Sequence, residues 1–415
     1  MEPDPEDSGC ADRGGTGIFR RRRQFFRTAG SFLGEMPQKG RHTLRILHCA
    51  DIHLDSRMSA NFDKEEAAVR RQEILGTFLD MIEEAAKAHT DHILIAGDLT
   101  DSAKVTATVR NTVLGALRDH PEMKFWYVPG NHDTGEDFLG VTEDLPDNLH
   151  VFGNDWETCS LDADGRIRLS AAAMDGTPRI GEGLSLLLNP ECFNIVMLHG
   201  QAAGYHARSK AETISLSAFR GRGVDYLALG HIHSHQEGEL DGRGIFCYPG
   251  CLEGRGFDEC GEHGFVTLEI DEDTLRMKRH FIPFAGRCLW EIPVDVSGCA
   301  DSDRMAKRIR EEMDRQKAEN IIHEGDLIRV LLVGKIPADA EKNLLFLRRS
   351  MEKEFFHFEV EDRTGIEIDY ESFRYDTSLR GEFVRLVEQA EIPEEEKAEI
   401  LRCGIRELSG EVDEL

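Results

Sequence analysis

Five short loops carry the residues that could do chemistry. In chain order they read Asp51-Ile52-His53, Gly97-Asp98, Gly130-Asn131-His132-Asp133, His199-Gly200 and Gly230-His231-Ile232-His233. Each follows an apolar run that favours a strand, and the third is set off by Pro129-Gly130, a turn signal. A lone histidine at a strand end is more often a hydrogen-bonded loop residue than a ligand. Five such loops, each at the carboxyl end of a buried strand, point instead to one shared site, because that edge is where open α/β sheets bind ligands.

Carboxylate, imidazole and amide oxygen together suit borderline-hard divalent ions such as manganese, iron or zinc. No cysteine belongs to the set, which argues against a closed structural zinc site. Two ions ~3.5–4 Å apart, sharing one carboxylate, would use all of Asp51, His53, Asp98, Asn131, His199, His231 and His233. Such a pair fits an in-line attack on phosphorus that needs no serine or cysteine nucleophile. His132 is adjacent to Asn131 and is not needed as a ligand. It is placed to stabilise the transition state or to protonate the leaving oxygen.

The surrounding pattern must position these loops. Residues 44–50 read as a strand, 63–89 as a helix with Val69, Phe78, Ile82 and Ala85 among its apolar positions, and 93–96 as a short buried strand. A helix over 105–119 and the strand before Pro129 follow. Strand, helix, strand, helix, strand is the signature of a layered α/β sheet. Past residue 140 short strands are expected near 149–152 and 166–173, then at 194–198 and 225–229. Strands at 244–248, 264–270 and 276–281 are assigned to a second sheet. Residues 287–370 read as a smaller α+β module, with strands at 290–296, 327–333 and 358–360 and helices at 301–318 and 338–355. Residues 371–415 form a C-terminal helical segment, and 1–42, with Arg20 to Arg23 and Phe25-Phe26, a disordered extension; Met36 is an alternative start. The domain reading is therefore 1–42, 43–286, 287–370 and 371–415.

Composition bounds the partners. The chain has 415 residues, 40% hydrophobic and 31% charged, which fits a globular protein of two or three domains. No apolar run reaches the ~20 residues of a membrane span. The formal net charge of −28 argues against tight, autonomous DNA binding, for which a basic surface is usual. The ten cysteines form no Cys-x-x-Cys pair, and Cys247, Cys251 and Cys260 match no common zinc spacing, so a cytoplasmic protein with reduced thiols is expected. The final Val-Asp-Glu-Leu has no secretory signal to accompany it and is read as coincidence.

The ordered loops resemble the calcineurin-like metallophosphoesterase superfamily over roughly residues 43–285. That resemblance implies a two-sheet sandwich flanked by helices. It implies one ion on Asp51, His53, Asp98 and His233 and another on Asp98, Asn131, His199 and His231, with Asp98 bridging and His132 as the catalytic histidine. A narrower likeness is to SbcD-type DNA repair exonucleases, in their YhaO-like branch. It rests on Cys49-Ala50-Asp51-Ile52-His53-Leu54-Asp55, on Tyr226 to His233 and on Tyr248-Pro249-Gly250-Cys251-Leu252-Glu253-Gly254-Arg255-Gly256-Phe257. It implies DNA as substrate, manganese as the ion, a capping role for the α+β module, and an SbcC-like or Rad-fifty-like coiled-coil ATPase as partner, each subunit a dimer. Gly97-Asp98-Leu99-Thr100-Asp101-Ser102 and Gly130-Asn131-His132-Asp133 depart from the phosphoprotein phosphatase forms and disfavour that activity.

Two other functions compete. A stand-alone phosphoesterase for a nucleotide or another small phosphodiester agrees with the acidic charge. A metal-stabilised scaffold would have no need of His132. At the C-terminus Leu379, Phe383, Leu386, Val387 and Ala390 form one apolar stripe, and Ala398, Leu401, Ile405 and Leu408 a second beyond Ile392-Pro393. These stripes either fold onto the chain's own core or lie on a partner helix.

Overall fold

The computed structural model describes residues 43–58, 62–101, 105–133, 145–173, 188–202, 213–337, 340–367 and 375–393, then 396, 397, 400, 401, 403, 404 and 408. The expectations for residues 1–42, for Ala398 and Ile405 and for the last residues lie outside that set.

The first strand, β1 (Thr43–Cys49), is followed by helix α1 (Lys64–Lys87), β2 (His92–Ala96), helix α2 (Ala107–Arg118) and β3 (Lys124–Val128). Asp63 caps α1 by accepting from the Glu65 and Glu66 amides while the Glu66 carboxylate takes the Asp63 amide, a reciprocal cap that satisfies the first free N–H groups. Ile74, Phe78, Met81, Ile82 and Ala85 recur at helical spacing and are buried, whereas Val69 is 42% exposed and lies on the outer side. Burying a side chain such as Phe78 is worth about 1.5–3 kcal/mol.

Next come β4 (Leu149–Val151), β5 (Glu157–Ser160), β6 (Ile167–Ala171), β7 (Phe193–His199), the short pair β8 (Gln201–Ala202) and β9 (Thr213–Ile214), β10 (Tyr226–Gly230), β11 (Gln236–Glu239) and β12 (Ile245–Tyr248). The hairpin β13 (Gly264–Asp271) and β14 (Met277–Pro283) closes the series. The strands form two six-stranded sheets, ordered β14-β13-β1-β2-β3-β4 and β11-β12-β10-β7-β6-β5. β1, β2, β3 and β4 run parallel, as do β6, β7, β10 and β12. The fold is thus mixed α/β.

The hairpin corrects one expectation. β13 and β14 belong to the first sheet, not the second, because β13 pairs antiparallel with β1 from Thr43↔Asp271 to His48↔Val266. An apolar strand such as β1 would otherwise leave an open edge. Ile46 and Leu94 of the first sheet pack in one core with Leu169, Met197 and Ala228 of the second.

Behind this core lies a buried charge network. The Arg70 guanidinium of α1 is wholly buried and donates to Glu73 at 2.7 Å, to Glu253 at 2.9 Å and to the Gly254 carbonyl at 2.9 Å. The other Glu253 oxygen accepts from Thr77 and from the Gly286 amide, both at 2.6 Å. Burial alone pushes the Glu253 carboxyl up, but the Arg70 charge and these bonds hold it below its usual value.

Chain contacts divide the protein into two compact units that part between Cys288 and Leu289. The second unit has a parallel sheet ordered β15 (Leu289–Asp295), β16 (Leu327–Val333), β18 (His357–Asp362), with helices α3 (Ser302–Ala318) and α4 (Leu344–Met351). A short pair, β17 (Lys335–Pro337) and β19 (Gly365–Glu367), completes it. Met305, Ile309 and Met313 of α3 pack on Ile292, Val330 and Leu347. α4 is shorter than the helix expected over 338–355: Asn343 caps its start by accepting from the Phe346 amide. Helix α5 (Leu379–Glu388) follows. Among the described residues no helix is long and apolar enough to cross a membrane.

Candidate metal centre

The carboxyl ends of β1, β2 and β3 in one sheet and of β7 and β10 in the other carry all eight side chains singled out by sequence. Their burial is graded. Asp51, His53, Asp98 and His199 are at most 2% exposed, Asn131, His231 and His233 are half-buried, and His132 is exposed.

The chain bends sharply to present them. Asp51, His53, Asp98 and His231 adopt positive φ values of 53°, 51°, 48° and 102°. Such backbone costs a non-glycine residue of order 1–3 kcal/mol and persists only where the surroundings fix it. Here the Asp51, His53 and Leu54 amides donate to the Gly97, Asp98 and Leu99 carbonyls at 3.1, 3.0 and 2.9 Å. The His231 amide donates to both Asp51 oxygens, at 3.0 and 2.9 Å, and so ties the second sheet to the first. Two glycines permit the close approach. A Cβ on Gly97 would lie 2.1 Å from His199 Nδ1, and one on Gly130 would lie 2.2 Å from Asp98 Oδ1.

The side chains converge in two overlapping groups. Asp51, His53 and His233 each offer a ligand atom within 4.8 Å of the others, and so do Asp51, Asp98 and His199. His199 Nε2 is 3.3 Å from Asp98 Oδ2 and 3.0 Å from Asn131 Oδ1, which is itself 3.3 Å from His231 Nδ1.

His199 Nδ1 donates to the Ala96 carbonyl at 2.9 Å. In the neutral ring Nε2 then holds a lone pair, turned towards the Asp98 and Asn131 oxygens. His53 Nδ1 lies 3.1 Å from an Asp101 oxygen and His233 Nδ1 lies 2.6 Å from a Glu259 oxygen. With an Nδ1 turned to a carboxylate in each ring, the two Nε2 atoms face each other at 3.3 Å, where they share one proton or, once both rings are neutral, turn two lone pairs towards a cation. A cation that replaces the shared proton gives both lone pairs a partner. The donor set therefore fits a pair of divalent ions.

Charge gives the same answer. Burial pushes the Asp51 carboxyl up, against the pull of His199 and His233. Burial opposes ionisation of Asp98 as well, yet the His199 charge and hydrogen bond hold it well below the usual carboxylate range. Burial pulls His199 down, but Asp98 and Asp51 outweigh it and lift the imidazole to about 10. His231 is lowered to about 4 by burial and by the charge of His199. Two buried carboxylates thus draw positive charge to their shared edge, a role the protonated His199 ring fills and a cation can take over.

His132 is placed differently. Its amide donates to Asp98 Oδ1 at 2.9 Å and its Nδ1 to the Asp101 carbonyl at 3.1 Å, while the ring meets His53 edge-on at 5.1 Å. The ring is held beside the carboxylate cluster and stays open to solvent.

Several participants carried no assigned role in the sequence reading. Asp133 accepts from the Leu99, Thr100 and Gly130 amides at 3.1, 2.9 and 3.0 Å and locks the Asp98 loop to the Asn131 loop. Asp133 and Asp101 were visible as the acidic ends of Gly-Asn-His-Asp and Gly-Asp-Leu-Thr-Asp. Glu259 had no such signal, since it stands far along the chain from His233.

Residues 44–235 match the family model for calcineurin-like phosphoesterases. The chain is 25% identical over 334 residues to an uncharacterized metallophosphoesterase, YhaO, of Bacillus subtilis, covering 75% of this chain and 78% of that one. It is 24% identical over 283 residues to the DNA double-strand break repair protein Mre11 of Haloferax volcanii, covering 64% of this chain and 58% of that relative. A dimetal phosphatase from Danio rerio superposes with a TM-score of 0.39 at 12% identity, over 58% of this chain and 99% of that one. Matched over residues 44–235 by that family model and related at low identity to YhaO and Mre11, this segment carries a calcineurin-like phosphoesterase domain, with two overlapping groups of side chains that could hold a metal ion.

Proposed function

We propose that the protein is a two-metal phosphodiesterase that hydrolyses DNA, the nuclease subunit of a repair complex with a coiled-coil ATPase. The observation that carries this reading is the cross-sheet cluster of Asp51, Asp98, His199 and the facing His53–His233 pair, with His132 exposed beside it. The likeness to Mre11 supports DNA as the substrate class.

In this reading Asp51, His53, Asp98 and His233 hold one ion, and Asp98, Asn131, His199 and His231 the other. Manganese suits this oxygen and imidazole set, with iron or zinc as alternatives. A bound pair supplies Lewis acidity and lowers the pKa of water, so that hydroxide is available at neutral pH. The chain's own residues do the rest. The burial of Asp51 and Asp98 lowers the local dielectric and so strengthens their attraction for a cation. The Asp101 carbonyl keeps a proton on His132 Nδ1, which leaves Nε2 to hold or deliver a proton to the leaving oxygen.

The second unit would act as the DNA-capping module and α5 as a docking helix for the ATPase, with the assembly a dimer of each subunit in the cytoplasm. On α5, Val384 and Val387 are buried, whereas Leu379 is 72% and Leu386 61% exposed. One apolar face thus packs inwards and another is left available. The net charge of −28 favours a second reading, a stand-alone phosphoesterase for small phosphodiesters. A manganese-dependent assay on linear duplex DNA and on a chromogenic phosphodiester separates them. DNA cleavage that rises with the ATPase supports the first reading. Turnover of the small diester alone, with or without the partner, rejects it.

A further inference from the structure

Residues 248–257 carry much of the likeness to DNA repair nucleases, yet they supply none of the ligands assigned above. The geometry points to Arg255, within this stretch, as the positioning residue that sets His53 and His233 together for one ion. It does so by spanning two carboxylates with two separate nitrogens. The inference rests on the two-metal reading and adds to it a residue that touches neither ion.

The atoms lie in a closed circuit of short distances, in which Arg255 Nη2 also lies 3.2 Å from His233 Nδ1, and His53 Nδ1 approaches Asp101 as an ion-pair contact without hydrogen-bond geometry. Arg255 Nη1 donates to Asp101 Oδ1 at 2.8 Å, and the same oxygen lies 3.1 Å from His53 Nδ1. Arg255 Nη2 donates to Glu259 Oε1 at 2.9 Å, and that oxygen lies 2.6 Å from His233 Nδ1. The two rings then close the circuit through their Nε2 atoms, 3.3 Å apart. Asp101 stands beyond β2 of the first sheet, and His233 stands beyond β10 of the second. One side chain therefore fixes the carboxylates behind an imidazole from each sheet.

The circuit is held rigidly. Arg255 and Glu259 side chains are 17% and 6% exposed. The Arg255 amide donates to the second Glu259 oxygen at 2.7 Å, and the Cys251 amide to the His233 carbonyl at 3.0 Å. Glu253, two residues before Arg255, is anchored by Arg70, Thr77 and Gly286. The other half of the centre is built differently, because His199 is backed by the Ala96 carbonyl and does not join this circuit.

A bare positive charge would balance Asp101 and Glu259 equally well from a lysine. A planar fork is needed only if both carboxylates must be held at fixed positions at once. Losing an outer partner of a metal-binding histidine typically costs ~10–100-fold in metal affinity.

Calorimetric titration of manganese into the metal-stripped full-length protein tests this. Wild type, Arg255→Lys, Arg255→Gln and Asn131→Ala are compared, the last marking the ion that Arg255 does not serve. The expected result is a ~10–100-fold loss for one ion in both Arg255 variants, with the Asn131-dependent ion unchanged. The metal-free melting temperature of Arg255→Lys should stay close to wild type. Wild-type affinity for both ions in Arg255→Lys overturns the proposal, and so does equal weakening of both ions. Fewer than two ions in wild type overturns the two-metal reading itself, a different and recognisable failure.

Discussion

At the scale of single residues, holding ions and moving protons are separable. His132 touches the cluster through its backbone amide, and its ring is exposed. His132→Ala should therefore keep both ions and lose ~10²–10⁴-fold in turnover, the usual worth of a positioned proton donor. Metal analysis and steady-state rates on the same preparation check this, and near-normal DNA hydrolysis would remove His132 from the chemistry. The residues legible in the sequence were those whose types name their task, a carboxylate, amide or imidazole after a strand and a glycine. Glu259 and Arg255 were not legible as participants, because their roles depend on contacts made across the fold and no local spacing encodes those.

At the scale of elements, the charge network behind the core joins α1 to the stretch that carries Arg255. Glu253 is wholly buried against Arg70 and ionised in the fold. Its carboxyl is held below its unfolded value, so an unfolded chain binds the proton more readily. The resulting stability is present above the unfolded value and is lost as pH falls through the folded one. Glu253→Gln should cost about 3–5 kcal/mol at neutral pH, since it leaves a buried guanidinium short of a partner. Chemical denaturation at neutral pH and at several values below the ordinary glutamate pKa of 4.5 should show the difference from wild type shrinking as pH falls through that acidic range; a constant difference there would mean that Glu253 is not ionised in the fold.

The C-terminal helix calls for a surface test. Cutting the chain near Tyr375 would also uncover whatever Val384 and Val387 cover, so substitution is cleaner. Leu379→Glu with Leu386→Glu should leave melting, metal content and small-diester cleavage intact while abolishing co-purification with the coiled-coil ATPase. Undiminished capture of the ATPase would exclude this face as the docking surface. Hydrophobic spacing marked the stripe, but it could not separate the buried Val384 and Val387 from the exposed Leu379 and Leu386. The same limit misplaced β13 and β14. Their alternation shows strands, while the pairing partner of β13 is β1, more than two hundred residues earlier. Non-local pairing is set by which edge remains open, and periodicity does not report that.

At the scale of the whole molecule, an acidic chain carries a centre that calls for positive charge. With a net charge of −28, the protein as a whole repels a phosphate backbone, so the proposed action on DNA requires divalent ions and a partner to supply the grip. The most direct measurement is the manganese content of Asp98→Ala beside wild type, with phosphodiester turnover recorded on the same samples. Asp98 is the carboxylate assigned to both ions, and it bonds to His199 and His132 in the protein. Two ions per chain and metal-dependent turnover are expected for wild type, with both lost in Asp98→Ala. An Asp98→Ala protein that keeps two ions, or a wild-type protein that hydrolyses phosphodiesters at full rate after chelation, would contradict a two-metal phosphodiesterase.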